Sequence, residues 1–435
     1  MDDRTSLTAA LQEGFARVRD TLDRGGPLTV VFANDVGFIG GAGMALRRQS
    51  QSFLLAGHRV AIVCCLEQPS APPNPQGTDL SAHWLGLHAL PETTPAAMPD
   101  RESAARAIAE RIAAFAPHIV ITGNFHWTRW PIATFAALAA RGIPSVAYLH
   151  DMHWISGRCV YAGACRKYSS GCDETCPTPA EYPAVAPQLI APAWRERRNV
   201  FTELGIPLAA NSEWMRDRAV EGFGGRAHVT LLPLALDTRR FAPIDKGLAR
   251  RLLGLPSDRP IVLAGAIDMS DRRKGGHLLR SVVPIVRERS GAEFVAFGHN
   301  SQYVPNVRGL GYIDDERLMP VALSAADVFV NTSLEESFGQ TLMEAAACGV
   351  PSVAIARGGV PDIARRDENA LLVDEEEAQP LADATLRLLA DAPLRARLGD
   401  AGRALVQRTF SLEAQAERWC AYLAAPLPVR LSPAL

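Results

Sequence analysis

The stretch DVFVNTSLEESFGQTLMEAAACG (327–349) decides how the chain folds. Its apolar start predicts a buried strand, LEESFG predicts a loop, and the remainder predicts a helix that ends at Gly349. Glu336 therefore falls in a loop after a strand, and Glu344 about one turn into the helix. Ligands of open α/β sheets bind at this edge, where a helix N-terminus suits phosphate and a carboxylate suits hydroxyl groups. Two ordinary solvated glutamates would fit the spacing equally well.

Short apolar, β-branched runs alternate with helical patterns along the whole chain. Because these runs are continuously apolar, they predict strands buried on both faces, as in parallel sheets covered by helices. The repeated strand–helix order predicts an α/β fold with two doubly wound, Rossmann-like domains. Their seam is expected at 233–247, where prolines and charges interrupt the pattern. The predicted strands are 28–34, 58–65, 118–124, 144–150, 208–212, 260–267, 292–298, 327–333, 351–356 and 370–374.

Length and composition narrow the class of protein. A chain of 435 residues, 48% of them hydrophobic, is too long for one ordinary core and indicates two or three domains. A net charge of -2 gives no reason to expect a nucleic-acid partner. The charged N-terminus lacks a signal-peptide pattern, and no apolar run is long enough to span a membrane. The cytoplasm is the expected location, with peripheral association at the inner face of the membrane as an alternative.

A second loop carries positive charge. LAGAIDMSDRRKGGHLL (263–279) predicts a strand, a basic loop and a helix that starts near Gly275-Gly276. Arg273 and Lys274 stand just before that helix, where two cations can neutralise a diphosphate; alone, they would also fit a solvated turn. A Gly-rich turn, RGGVPDIA (357–364), follows another strand. Together with the paired glutamates, these loops indicate capture of both phosphate and hydroxyl groups, as binding of a nucleotide sugar requires.

These motifs resemble those of the retaining glycosyltransferases of family 4, which have the GT-B fold of two Rossmann-like domains facing across a cleft. The family's Glu-x7-Glu motif is matched at 336–344 and its Lys-Gly at 274–275. Its Gly-Gly-x-Pro-Glu turn is matched at 358–361, but Asp362 stands in place of the glutamate. The linker pattern is matched at 234–241. The Cys-rich segment 150–177 resembles the branch that makes colanic-acid-like and other surface polysaccharides.

The resemblance implies a function for each domain. Residues 1–235 would face the acceptor, with an insertion at 151–180 and a C-terminal helix, 411–435, packing back on this domain; residues 236–410 would bind the nucleotide sugar. The implied hexosyltransferase moves a sugar from that donor to a glycan, lipid-linked or small-molecule acceptor, in polysaccharide or glycoconjugate biosynthesis. Two alternatives stay open: a non-catalytic GT-B scaffold that binds a glycan or partner, and a sugar-nucleotide epimerase. No Asp-x-Asp motif is present to hold a metal with a diphosphate, so no catalytic cofactor is expected.

The resemblance also implies roles for individual residues. Glu344 would bind the ribose, and Glu336 would face the donor sugar. Many family members have Arg directly after the glycine of the strand at 260–267, where this chain has Gly265-Ala266, and Arg273 would supply that charge. The implied catalytic residues are His150, Lys274 and Glu336. The implied donor-binding residues are Gly40, Gly41, Gly265, Arg273, Lys274, Gly298, Tyr312, Ile313, Ser337, Phe338, Gly339, Gln340, Thr341 and Glu344.

Two features of the first half have competing interpretations. The loop at 34–50 contains Gly40, Gly41 and Gly43, which fit a dinucleotide fingerprint only with shifted spacing; helix-start packing explains them too. In the family this loop touches the donor phosphate or the acceptor. His150 ends a strand and is either structural or, by the resemblance, placed over the donor sugar. A retaining transfer needs no dedicated base, whereas an inverting one would need His150, Asp151 or Asp35.

Four cysteines fall within eighteen residues, in the pattern C-x5-C-x6-C-x3-C. Clustered thiols in a chain without an export signal favour a structural zinc site, although free thiols or one disulfide remain alternatives. The candidate ligands are Cys159, Cys165, Cys172 and Cys176.

Overall fold

The computed structural model describes residues 3–94 and 97–426. Contacts between Cα atoms divide the chain into two units. The first contains the described residues up to Ala235 and those from Gln415 onward, and the second is Leu236–Ala414. The C-terminal segment expected to be helical at 411–435 forms a helix at Leu412–Ala424, and residues 427–435 lie outside the described part. Among the described residues, no helix is both long and apolar enough to cross a membrane.

The first unit is built on a parallel sheet of seven strands, counted over the described residues, in the order β3-β2-β1-β4-β5-β6-β7. The strands are β1 (Thr29–Ala33), β2 (Arg59–Cys64), β3 (Trp84–Ala89), β4 (Ile119–Thr122), β5 (Ser145–Leu149), β6 (Leu208–Ala210) and β7 (Val229–Leu231). The helices are α1 (Asp3–Asp23), α2 (Gly40–Leu55), α3 (Arg101–Ala113), α4 (Thr134–Ala139), α5 (Lys167–Ser170), α6 (Pro187–Thr202) and α7 (Glu213–Phe223).

The second unit repeats this architecture with six described strands in the order β10-β9-β8-β11-β12-β13. The strands are β8 (Ile261–Asp268), β9 (Glu293–His299), β10 (Arg308–Gly309), β11 (Val328–Asn331), β12 (Ser352–Ile355) and β13 (Ala370–Val373). The helices are α8 (Lys246–Leu252), α9 (Gly276–Ser290), α10 (Met319–Ser324), α11 (Gln340–Ala347), α12 (Val360–Ile363), α13 (Ala378–Ala390) and α14 (Ala392–Thr409), after which α15 (Leu412–Ala424) follows.

Most of α15 belongs to the first unit and is anchored there by one aromatic residue. Trp419 is fully buried, and its ring centroid lies 5.5 Å from that of Phe53 on α2. Gln415 accepts a hydrogen bond from Ser52 at 2.9 Å and donates one to the Pro233 carbonyl at 2.8 Å. These contacts tie the C-terminal segment of the first unit to the part of that unit that precedes Ala235.

All ten predicted strands are present, and the prediction of two parallel α/β sheets is confirmed. Three strands were missed, and all three lie at sheet edges: β3, β7 and β10. They are short or only half-buried, so they lack the continuous apolar run that marks a strand covered on both faces.

In each sheet the strand order reverses at one point, which we call the switch point. In the first unit it lies between β1 and β4, and in the second between β8 and β11. The loops after these strands run to opposite faces of the sheet, which leaves a crevice at the carboxyl ends where ligands of open α/β sheets bind. Topology alone thus marks one candidate position in each unit.

Candidate functional site

A largely buried ion pair occupies the switch point of the second unit. Lys274 ends a 3₁₀ turn after β8, and Glu336 lies in the loop after β11. Lys274 Nζ lies 2.5 Å from Glu336 Oε2, and the two side chains are only 15% and 14% exposed. Burial disfavours ionisation of Glu336, but the charges of Lys274 and Arg273 outweigh it and hold the pKa of Glu336 below its ordinary value. The carboxylate is therefore charged at neutral pH.

The two loops that carry this pair are tied to each other by hydrogen bonds. Thr332 Oγ1 donates to the Lys274 carbonyl at 3.0 Å, and the Leu334 N–H donates to the Arg273 carbonyl at 2.8 Å. Gly275 has φ +72°, and a Cβ added there would lie 1.8 Å from the Thr332 carbonyl oxygen. Only glycine allows this approach, so the Lys-Gly sequence serves both the charge and the loop contact.

Arg273, expected to bind phosphate, is engaged within the protein. Its guanidinium forms an ion pair with Asp271 at 3.0 Å and donates to the Glu335 carbonyl at 3.2 Å. In this arrangement it supports the loop that carries Glu336 and adds positive charge near that carboxylate. Its role as a phosphate ligand stays a prediction.

The start of α11 and the second glutamate complete this site. Gly339 takes φ +101° just before the helix, and Phe338 is buried with its ring 5.7 Å from Phe410. Ser337 lies in the same loop, and the helix begins with Gln340 and Thr341. Glu344, on the second turn, is only 7% exposed. The alternative of two solvated surface glutamates is therefore wrong, because Glu344 is only 7% exposed and Glu336 is paired with Lys274.

Other residues predicted to contact the donor lie at the end of β9 and in the segment after β10. Gly298 donates its N–H to the Gly311 carbonyl at 2.8 Å, next to Tyr312 and Ile313. The Tyr312 ring stacks on His299 at 4.4 Å with an interplanar angle of 5°. This stack offers a flat aromatic surface at the carboxyl edge of the sheet, and its contact with the donor stays a prediction.

Gly265 lies within β8 itself. A Cβ added to Gly265 would lie 2.1 Å from the Phe297 ring. The need for glycine at this position is therefore explained by packing inside the sheet, and its role toward the donor stays a prediction.

The Gly-rich turn at 357–364 contacts the backbone of Glu336. Gly359 donates its N–H to the Glu336 carbonyl at 2.8 Å, and a Cβ added to Gly358 would lie 2.0 Å from the same oxygen. Gly358 has φ +59°. The turn and the Glu336 loop must therefore approach through backbone alone.

We expect Gly358→Ala to destabilise the second unit more than Gly291→Ala does. Gly291 has a similar φ, +66°, but an added Cβ there would meet no atom within 4 Å. Gly291→Ala should lower the free energy of unfolding by about 1 kcal/mol, because alanine is unfavourable in this left-handed backbone conformation. Gly358→Ala adds the clash between the new Cβ and the Glu336 carbonyl. Urea unfolding of both variants measures the difference, and equal losses of stability would show that the Gly358 contact is unimportant.

A buried polar cluster occupies the switch point of the first unit. Asp35 follows β1, His126 follows β4 and Asp151 follows β5. His126 Nε2 lies 3.0 Å from Asp151 Oδ2, which also accepts a hydrogen bond from Asn124 Nδ2 at 3.1 Å. Asp35 Oδ2 accepts from the Thr128 N–H at 2.9 Å. Three neighbouring strands thus deliver two carboxylates and an imidazole to one place.

Burial and charge set the protonation of this cluster. Burial raises the pKa of Asp35 to about 6. Burial lowers the pKa of His126, but the charges of Asp151 and Asp35 outweigh it, so that this pKa lies above its ordinary value. Burial likewise raises the pKa of Asp151, and His126 outweighs this and holds it below its ordinary value. The His126–Asp151 pair is consequently ionic around pH 6, where Asp35 changes its charge.

His150, predicted to be catalytic, borders this cluster. It follows β5, is 7% exposed, and packs its ring 4.9 Å from that of Tyr148. Burial lowers the pKa of His150 to about 4, so the ring is neutral at pH 7. Within the described part of the chain, His150 Nε2 and Asp35 Oδ1 are buried without a hydrogen-bond partner. Buried polar atoms usually have a hydrogen-bond partner, so each of these two atoms could accept or donate a bond to a bound molecule.

Gly40 and Gly41 open α2 in the same unit. Gly40 has φ +71°, and an added Cβ would meet no atom within 4 Å, so it leaves space at the helix start. The structure therefore places these two glycines and His150 in the first unit and the other residues of the predicted donor site in the second.

His126 and Asn124 were missed as site residues by sequence reasoning. The available signal was a His-Trp pair at 126–127, one residue after the strand predicted at 118–124. That signal acquires meaning only from the strand order, because β1 and β4 are neighbours at the switch point although about 90 residues separate their ends. No local pattern contains this information.

The four cysteines of the insertion lie near one another. Burial, together with the neighbouring thiols of Cys159, Cys165 and Cys176, raises the pKa of Cys172 to about 11. None of the described cysteines is in a disulfide, and among the described residues no group of three or more His, Cys, Asp or Glu side chains is placed to hold a metal ion. The zinc site stays a prediction from the sequence, which metal analysis of the purified chain would decide.

Comparison with known families and structures relates both halves to the same class of enzyme. Residues 39–240 match the family model described as Glycosyltransferase Family 4, and residues 258–391 match Glycosyl transferases group 1. Both halves of the chain match glycosyltransferase family models. Sucrose-phosphate synthase from Thermosynechococcus elongatus superposes with a TM-score of 0.68 over 91% of this chain and 98% of that one, at 22% identity. Anabaena HepE in complex with UDP-glucose superposes with a TM-score of 0.67, at 17% identity over 91% and 99% of the two chains. The fold is therefore GT-B.

Curated relatives match part of the chain. A GDP-mannose-dependent monoacylated alpha-(1-6)-phosphatidylinositol monomannoside mannosyltransferase of Corynebacterium glutamicum is 27% identical over 51% of this chain and 62% of its own length. A D-inositol 3-phosphate glycosyltransferase of Actinosynnema mirum is 34% identical over 40% of this chain and 46% of its own length. The matches thus span about half of the length of these relatives.

Proposed function

We propose that the chain transfers a sugar, with retention of configuration, from a nucleotide-sugar donor to a glycan, lipid-linked or small-molecule acceptor. The observation that carries the proposal is the buried Lys274–Glu336 pair at the switch point of the second unit, beside the N-terminus of α11 and Glu344. An intact set of charged groups at this place favours an enzyme over a binding scaffold. The names of the relatives, which include GDP-mannose-dependent mannosyltransferases, support the same class of donor.

The proposed reaction places the donor on the second unit. The Lys274 ammonium neutralises charge that develops on the leaving diphosphate, and N–H groups at the start of α11 donate to its oxygens. Glu344 accepts hydrogen bonds from hydroxyl groups of the ribose. The bond between the anomeric carbon and the phosphate oxygen breaks, the bond to the acceptor oxygen forms on the same face, and the acceptor proton passes to the diphosphate. Lys274 and backbone donors take the part that a divalent cation plays in other transferases.

The biological setting is proposed from the resemblance alone. The Cys-rich segment at 150–177 supports a place in the synthesis of surface polysaccharides or other glycoconjugates. Peripheral association with a membrane would follow if the acceptor is carried on a lipid.

A thermal-shift panel of UDP-, GDP-, ADP- and dTDP-sugars tests the donor site. We expect one nucleotide to stabilise the chain by about 2.7 kcal/mol at a concentration one hundred times its dissociation constant. Glu344→Gln should weaken this shift, because it removes the charge offered to the ribose. The product made from the stabilising donor is then examined by NMR for its anomeric configuration. A chain that no nucleotide sugar stabilises, or a product of inverted configuration, contradicts the proposal.

A further inference from the structure

Two large aromatic rings stand exposed beside the polar cluster of the first unit. Trp127 follows His126 in the loop after β4 and is 62% exposed; Tyr182, in the loop before α6, is 49% exposed. Their ring centroids lie 5.7 Å apart at an interplanar angle of 53°. A Trp side chain is seldom this exposed, because burial of its large apolar area is favourable. We call these two residues the aromatic platform.

The aromatic platform is joined to the buried cluster by hydrogen bonds. Tyr182 OH lies 2.7 Å from His126 Nδ1, while His126 Nε2 contacts Asp151. The hydroxyl at the edge of the platform is thus oriented by an imidazole whose other nitrogen is held by a carboxylate. An apolar ring surface with a fixed polar group at its edge matches one kind of ligand, a flat ring with C–H groups on its face and hydroxyl groups around its rim.

The surroundings indicate that this position is a binding site and not a solvated turn. It lies at the switch point between β1 and β4. Two of the buried side-chain atoms that lack a hydrogen-bond partner in the described part of the chain, Asp35 Oδ1 and His150 Nε2, follow the strands on either side of β4. Charge also selects the ligand. Asp151 is neutralised by His126 and bonded to Asn124, and the Asp35 carboxylate is fully buried, so neither presents an accessible charge to an organic cation and a neutral hydroxylated ring is favoured.

We propose that the aromatic platform binds the acceptor, and that the acceptor presents a sugar or cyclitol ring there. Trp127 stacks on the C–H face of the ring, the tilted Tyr182 ring contacts its edge, and the Tyr182 hydroxyl, oriented by His126, bonds to a ring hydroxyl. This inference rests on the proposed function, since it names the class of acceptor. It distinguishes an acceptor with a ring, free or at the head of a glycolipid, from a simple lipid alcohol.

Saturation-transfer NMR of the full chain tests the platform with methyl α-D-mannopyranoside, myo-inositol and tetramethylammonium as separate probes. We expect saturation transfer to ring C–H protons of at least one of the first two probes and none to tetramethylammonium. A response from mannoside alone would identify a glycan or glycolipid head, and a response from inositol alone a cyclitol. Transfer to tetramethylammonium alone would overturn the inference, since the site would then bind cations.

Substitutions locate the binding. Trp127→Ala should reduce the signal at least fivefold, Trp127→Phe should restore much of it, and Tyr182→Phe should weaken it while keeping the ring. Leu189→Ala, which removes an apolar side chain that is 55% exposed on α6, should change nothing. Because Trp127 is exposed, its variants should unfold at the wild-type temperature. An unchanged signal in Trp127→Ala overturns the inference.

The two proposals fail in different ways. A chain that nucleotide sugars stabilise, but in which the Trp127→Ala signal is unchanged, retains its proposed function and loses the platform. A chain that binds the ring probes at Trp127 but responds to no nucleotide sugar loses the proposed donor.

Discussion

Lys274→Met and Glu336→Gln, each made alone, should reduce sugar transfer by about a hundredfold or more, because each removes a charge that acts on the donor in the transition state. Each single change should also destabilise the second unit by about 3 kcal/mol, since the remaining partner is left buried without its counter-charge. Activity is measured with the donor identified by thermal shift, and stability by urea unfolding.

The double variant separates catalysis from stability. Lys274→Met combined with Glu336→Gln removes both buried charges, so we expect most of the lost stability to return while activity stays as low as in the single variants. Arg289→Met is the control, because Arg289 and Asp383 form an ion pair on the same unit with both side chains more than half exposed. It should alter neither quantity much. Recovery of transfer in the double variant would show that the pair is only structural.

Asp35→Asn should stabilise the first unit at pH 8 by about 3 kcal/mol and leave its stability unchanged below pH 4. Asp35 is fully buried, and burial raises its pKa from 3.8 to about 6. The folded chain therefore favours the protonated carboxyl. The stability of the folded chain is highest, as far as Asp35 is concerned, below pH 4, and this part of the stability is lost as the pH rises to about 6. Asparagine carries no charge, and its amide oxygen can still accept from the Thr128 N–H. Urea unfolding at pH 4, 6 and 8 measures the difference.

Asp327→Asn supplies a control of opposite sign. Burial opposes the charge of Asp327, but its contacts with Lys246 and Arg250, each 2.6 Å away, hold its pKa below the ordinary value. That carboxylate stabilises the chain above its unfolded pKa, and the contribution is lost as the pH falls through its lower folded value. Asp327→Asn should therefore destabilise the second unit at pH 8. If Asp35→Asn also destabilises the chain at pH 8, then the charge of Asp35 is compensated in the folded protein, and its buried Oδ1 does not reduce stability.

The sequence predicted the fold well because parallel strands covered on both faces leave a local mark. Each of the ten predicted strands falls in a continuous apolar run, and the runs alternate with helical patterns. The edge strand β7, with all three residues half-buried, lacks that mark. The positions of Glu336 in a loop and Glu344 on a helix were predictable for the same reason, because a strand, a loop and a helix follow one another within 23 residues.

The sequence by itself therefore determined the two α/β sheets, ten of their strands and the loops that carry charge. Only the tertiary structure decided which loops meet. Lys274 and Glu336 are 62 residues apart, and His126 reaches Asp151 across 25 residues, because β8 pairs with β11 and β4 with β5. Strand order depends on the packing of whole helices and sheets, and no stretch of residues encodes it locally. The same packing decides which side chains are buried. It buries Asp35 and so raises the pKa of this carboxyl, and it leaves the Trp127 ring exposed beside the buried cluster.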